Sequence, residues 1–304
     1  MFGCGSSAEC VLDSDCASLA QRCEAHACVP LGGPPVDLGS ADLGLPDGAP
    51  TDGPRVDGGP PDAGPPTDYR GHFTAETSPG RYAVSADFME TPPTPPSLCT
   101  THDEGPCSVT LCAAGTSTSI PHGAGSLMLT GGTADVSIAA NADETYTTSV
   151  GGGPLFAPAA VLTFEASGSD TGVPAFSGTV TAPSAATLTT PSITDATALT
   201  ISRTDDLALA WAPSGPVGTI DARFFALGSA GEVAIARCRF PTTAFAGTVP
   251  AAAFTDFPVG VAGGYSFDIE AETELALAGH WNVTLTARSA LATPSGISAG
   301  AANF

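Results

Sequence analysis

The chain has 304 residues, 42% of them apolar, and a formal net charge of −22; all nine basic residues are arginine. Charge this negative repels nucleic-acid phosphates and anionic lipid head groups, so neither nucleic acid nor a bare anionic bilayer is an expected partner. Nine cysteines divide into an isolated Cys4 and two sets of four: Cys10, Cys16, Cys23 and Cys28, then Cys99, Cys107, Cys112 and Cys238. Their spacings lack the short C-x2-C pairs that bend two thiolates onto one zinc ion, so they read as disulfides of an oxidising compartment.

Residues 1–30 form the first expected segment. The run Phe2-Gly3-Cys4-Gly5-Ser6-Ser7 resembles the cleavage end of a bacterial lipoprotein signal, in which a small residue precedes the modified cysteine. Met1 stands where that pattern usually has leucine, and the basic start and apolar stretch would lie upstream. The resemblance implies lipid on Cys4 and an exported protein at the outer membrane or cell surface, attached to the membrane through that anchor.

The block that follows contains Asp15-Cys16, Gln21-Arg22-Cys23 and Cys28-Val29-Pro30. It resembles a short cysteine-rich repeat of myxobacterial-type surface lipoproteins, whose activities are uncharacterised, and is weakly similar to the N-terminal block of the Dickkopf family. The resemblance covers about 20 residues. A segment this short cannot bury a core, and cross-links take its place. Four cysteines allow three pairings; Cys10–Cys23 with Cys16–Cys28 is the expected one. His26, between two of these cysteines, reads as a solvent-facing side chain.

Residues 31–68 are rich in Asp, Pro and Gly. Asp37, Asp42, Asp47, Asp52, Asp57 and Asp62 recur every five residues. Calcium loops set carboxylates two or three residues apart so that several oxygens reach one ion, and a five-residue spacing does not converge them. Like charge and low hydrophobicity leave nothing to offset the entropy of ordering. The segment reads as a disordered, extended spacer, with a reach on the order of 100 Å in polyproline-like form.

Residues 69–304 alternate with period two. Tyr82, Val84, Ala86 and Phe88 form one such run; Leu207, Leu209 and Trp211 another. Ile220, Ala222 and Phe224, Tyr265, Phe267 and Ile269, and Val283, Leu285 and Ala287 complete the set. Each run is short and bounded by Gly, Pro, Ser or Asp, which predicts half-buried strands. Phe224–Leu227, the Gly228–Gly231 turn and Glu232–Phe240 predict a hairpin. The expected fold is all-β, a β-sandwich head built as one elaborated sandwich or two packed together. A weak repeat points to two: Phe176–Val180 is echoed by Phe245–Val249, and Asp206–Trp211 by Glu274–Ala278 with Trp281. It makes Trp211 and Trp281 equivalent core residues. Cys238 is expected to bridge to Cys99, Cys107 or Cys112. Because the sequences before Cys112 and Cys238 both read as strands, the favoured pairs are Cys112–Cys238 and Cys99–Cys107.

Catalytic motifs are weak. Gly296-Ile297-Ser298-Ala299-Gly300 matches a nucleophile elbow, but too little chain follows for its partners. Asp170-Thr171-Gly172 matches an aspartic protease triplet without the apolar residues that should precede it, and reads as a turn. His102-Asp103-Glu104 is the densest ionisable group, with His122 as a distant partner; an exposed loop is the expected setting. Asp205-Asp206 read as a turn before a strand. No catalytic, cofactor or metal-ligating residue is predicted, and no cofactor. No stretch reaches the roughly 18 apolar residues that span a bilayer. The reading is an exported envelope protein with a non-enzymatic binding, adhesion or structural role and a protein or glycan ligand. The alternative is a hydrolase or carbohydrate-active enzyme on a sandwich; an accessory or inhibitor protein is a third class.

Overall fold

The structure, a computed structural model, describes residues 21–24, 27–30, 68–78, 81–91, 99–115, 119–170, 172–193, 198–215, 218–258, 263–296 and 298–304. Cys4, Cys10 and Cys16, the bridges expected in the first cysteine block, and spacer residues 31–67 lie outside it. The chain forms two units, Met1–Gly59 and Pro60–Phe304. In the first, β1 (Gln21–Glu24) and β2 (Ala27–Pro30) pair antiparallel, with Cys23 opposite Cys28 in the backbone register.

The second unit is all-β. In chain order its strands are β3 (Asp68–Ser78), β4 (Arg81–Thr91), β5 (Cys99–Glu104), β6 (Cys107–Cys112), β7 (Ile120–Pro121), β8 (Leu127–Thr130) and β9 (Val136–Ile138). Then come β10 (Tyr146–Ser149), β11 (Val161–Ala166), β12 (Phe176–Thr181), β13 (Ala186–Thr190), β14 (Leu199–Thr200), β15 (Leu207–Pro213) and β16 (Thr219–Leu227). The last five are β17 (Val233–Pro241), β18 (Ala246–Val249), β19 (Gly263–Ala276), β20 (Trp281–Ala290) and β21 (Ala299–Asn303).

Twelve strands make one long sheet with the spine β10-β4-β3-β20-β19-β16-β17-β6-β5; β21 joins it at β19, β14 at β21, and β7 at β4. Two small sheets, β12-β11-β8-β9 and β13-β15-β18, complete the set. They make two cores. In the first, Phe73, Phe88 and Leu285 of the long sheet are buried with Leu129, Phe164 and Val180 of the four-stranded sheet. In the second, Phe224, Ala236 and Phe267 are buried with Leu188, Leu209 and Trp211 of the three-stranded sheet. The head is therefore two sandwiches sharing one sheet. β19 joins them: its residues 263–270 pair with β16 and its residues 268–276 with β20.

The alternation explains the layering. Ile220, Ala222 and Phe224 are all buried, as are Tyr265, Phe267 and Ile269, because every second side chain of a strand points to one face. The predicted hairpin is β16–β17. At Gly71 the Phe88 ring lies over the backbone, and an added Cβ would stand 2.4 Å from Phe88 Cδ1; only glycine leaves the ring its place.

The cysteine pairing in the head differs from the favoured one. Cys99 bridges Cys112 across β5–β6, and Cys107 bridges Cys238 across β6–β17, each with Cα atoms 3.9 Å apart. Each partner stands directly opposite the other in its ladder. Cys112 lies opposite Val233, five residues along β17 from Cys238, or about 17 Å, beyond the reach of a disulfide. It also points to the other face of the sheet, since five is an odd step. Cys99 and Cys107 fail on the same two counts.

The repeat does not carry over to equivalent places: Phe176 is buried, whereas its echo Phe245 is 61% exposed. β12 and β18 are both edge strands of the covering sheets. Trp211, however, lies at the centre of the three-stranded sheet, on β15, whereas Trp281 belongs to the long sheet. Both are core residues, in non-equivalent places.

Candidate functional site

The face of β16, β17, β19 and β20 turned away from the cores carries the chemistry. Positions between the buried residues are charged: Asp221 and Arg223 on β16, Arg237 and Arg239 on β17, Asp268, Glu270 and Glu272 on β19, and Arg288 on β20. The register aligns them, with Arg223 opposite Arg237, Asp221 opposite Arg239 and Asp268, and Glu270 opposite Arg288.

Glu270 is the centre. Its Oε1 accepts hydrogen bonds from Arg237 and, at 3.0 Å, from Arg239 Nη2. Its Oε2 accepts from Arg223 Nη2 at 3.1 Å and lies 3.5 Å from Arg288 Nη2. Asp221 accepts from Arg223 Nε at 2.5 Å and from Arg237 Nε at 3.0 Å. Glu272 accepts from Arg239 at 2.5 Å and Arg237 at 3.2 Å. Glu270 and Asp221 side chains are 0% exposed, while the three arginines over them keep 28–41% exposure. Arg288 Nε is buried with no hydrogen-bond partner among the described residues.

Burial raises Asp221, but the Arg223 and Arg237 charges more than offset it and hold the carboxyl below its usual range. For Glu272 the hydrogen bonds and charge of Arg239 do the same. Burial keeps Asp268 above its usual value against the pull of Arg288 and Arg223. Glu270 is pushed up to about 7, first by burial and then by the Asp221 charge, with Arg237 and Arg223 only partly opposing. The Arg237 guanidinium is held protonated, its burial outweighed by Asp221 and Glu270. Any proton exchanged near neutrality therefore belongs to the carboxyls.

Four guanidiniums and three carboxyls make one network, with Asp268 beside it and hydrogen-bonded to Ser266. The two most buried carboxyls, Asp221 and Glu270, offer no oxygen to a substrate, so the convergence does not make an acid–base pair. Beside the network, toward the β16–β17 tip, the same face turns apolar. Phe225, Leu227 and Ile235 are 46%, 52% and 40% exposed. Phe225 stands opposite Ile235, and Leu227 opposite Val233. The Phe225 ring covers Gly264, where a Cβ would meet it at 2.4 Å. Ile235, Arg237 and Arg239 also line a shallow depression of about 580 Å³ with Asp103, Ser108 and Thr110.

The sequence motifs do not converge here. His102 and Glu104 lie not in an exposed loop but on edge strand β5, 3.9 Å apart and half-buried. His122 lies by the other end of the long sheet, hydrogen-bonded to Glu90 at 2.8 Å and packed edge-on to Trp281 and Tyr69. Asp170 is exposed, and Thr171 and Ile297 lie outside the described residues. Ser298 leads directly into β21, with its carbonyl accepting from Phe267 N–H; it is not on a strand-to-helix turn. Asp205 accepts from Ser202 Oγ at 2.7 Å, and Asp206 caps Ala251 N–H at 2.9 Å. Among the described residues no His, Cys, Asp or Glu group could hold a metal ion, and no helix is long and apolar enough to cross a membrane.

The charged face is not among the expected sites, which follow the apolar half of each alternation. The signal was present: Asp221-x-Arg223, Arg237-x-Arg239 and Asp268-x-Glu270-x-Glu272 put charges on every second strand position. A scan of the chain against protein-family models matches none, and a search of curated proteins finds no relative.

Proposed function

We propose that the chain is an exported envelope protein, tethered through Cys4, whose β head docks a protein partner without chemical turnover. The observation that carries the docking is the exposed Phe225–Leu227–Ile235 strip, bordered by Arg237 and Arg239 on a sheet face that neither core uses. Protein interfaces join an apolar, aromatic-rich centre to arginine and a polar rim. The network beneath sets these arginines in place while their side chains stay 36% and 41% exposed to a partner. The lipoprotein-like Gly3-Cys4-Gly5-Ser6-Ser7 and the even cysteine count beyond Cys4 support the tether and the oxidising location.

The test is saturable binding of the purified head to envelope fractions from the source cells. Phe225→Asp with Ile235→Asp should weaken it at least tenfold while the melting temperature stays put, and protease treatment of the envelope should abolish it. Binding unaffected by the double variant sinks the docking surface; binding that survives protease points to a glycan instead. Fatty-acid labelling of the gene expressed with its upstream sequence tests Cys4, and an unlabelled protein with a free Cys4 thiol removes the tether.

A further inference from the structure

We propose that the head is a tension-bearing module, built to resist a pull along its strands between the start of β3 and the β16–β17 tip. The inference rests on the tether-and-dock reading above and adds how the load is carried.

The registers place the two points at opposite ends of the long sheet. Tyr69 pairs with Trp281, next to Asn282, which pairs with Ala276 at the end of β19. Phe225 pairs with Gly264, at the beginning of β19. The start of β3 and the apolar strip are thus separated by nearly all of β19's 14 residues, on the order of 45 Å along the strand direction. A partner held at the strip by a chain anchored ahead of residue 68 loads the sheet lengthwise.

β3 suits that load. It lies between two neighbours, with nine parallel pairs to β20 and eleven antiparallel pairs to β4. Drawing it out lengthwise strains both ladders at once, because every rung lies across the direction of pull. It also drags Phe73 and Ala75, each 0% exposed, from the first core. A pull across the strands, by contrast, opens rungs one after another.

The other end is secured differently. β16 is held to β19 by eight pairs. β17 is bonded covalently to β6 through Cys107–Cys238, and β6 to β5 through Cys99–Cys112. The hairpin that takes the load is thus tied to the outer strands by links that a pull on hydrogen bonds cannot open. The C-terminal strand offers an internal contrast. β21 has only four pairs to β19 and two to β14, and Ala302 opposite Gly263 puts it at the same end of the sheet as the tip.

Single-molecule pulling on the full chain tests this. One molecule carries its handles at the N-terminus and at a short tag inserted in the Gly228–Gly231 turn. The other carries them at the C-terminus and the same tag, so any effect of the insertion is common to both. At equal loading rate the N-terminus-to-turn axis should rupture at a force at least twofold higher. Equal or lower force on that axis overturns the inference. Neither measurement needs lipid or partner. Anisotropy without envelope binding therefore refutes the docking reading alone, and binding without anisotropy refutes the load-bearing role alone.

Discussion

The two sandwiches cover two halves of one sheet by different means. The first relies on large interlocked side chains. Phe73 meets Phe164 edge-on at 4.9 Å between the layers, and Phe88 packs against Tyr146, Phe176 and Trp281. The second covers its half with three strands and a turn at Ala251–Phe254, interlocks Phe224, Phe254, Phe257 and Phe267 with small residues such as Ala222, Ala226, Ala234 and Ala236 between them, and adds both disulfides and the arginine network. Both cores bury large rings, Phe224 meeting Phe254 and Phe267 edge-on in the second, so the covalent links there act on top of apolar burial by restricting the unfolded chain. One continuous sheet thus carries covalent and ionic reinforcement on one half only.

The largest effect is expected from removing the long-range bridge. Cys107→Ser with Cys238→Ser opens a closure of 131 residues, worth on the order of 5 kcal/mol in the chain-entropy model. A fall in melting temperature of roughly 10–20 °C is expected. Hydrogen exchange should show the loss of protection concentrated in β6, β16 and β17. An unchanged melting temperature would contradict the account of the second sandwich; a loss spread evenly to β8 and β11 would erase the distinction between the two.

Next in size is the mirror experiment. Phe164→Ala should cost about 3–5 kcal/mol by transfer and cavity terms, with exchange rising in β8, β11 and β12 and little change in β17. Equal loss in both halves means the shared sheet couples them fully.

The smallest effect is the pH dependence of the second sandwich. Glu270 sits at about 7 when folded, above its ordinary value. The folded state thus holds a proton that the unfolded chain has already released, so this group's stabilisation is full below about pH 4.5 and is lost as pH rises through 7. Asp221 and Glu272 are shifted the opposite way, and their contribution disappears as pH falls through the ordinary carboxylate range and below. Stability should peak near pH 5. Glu270→Gln should flatten the alkaline side by on the order of 1–3 kcal/mol, read from melting temperatures between pH 5 and 8. A variant that keeps the wild-type slope assigns the titration elsewhere.

Period-two alternation made the fold class, the strands at 82–88, 207–211, 220–224, 265–269 and 283–287, and the β16–β17 hairpin legible in the sequence. Those features depend on which face a side chain takes, and that is a local property of the strand. Cysteine parity likewise indicated that Cys238 pairs with one of three upstream cysteines. Which one was settled by the β6–β17 register, between segments more than 120 residues apart. The sharing of one sheet by two cores, the different stations of Trp211 and Trp281, and the gathering of Asp221, Arg237, Glu270 and Arg288 around one buried carboxylate have the same origin. Alternation says which way a residue points. Only the packing of the sheets decides which strand lies beside it and at what register, and through that register charges far apart in sequence become a single network.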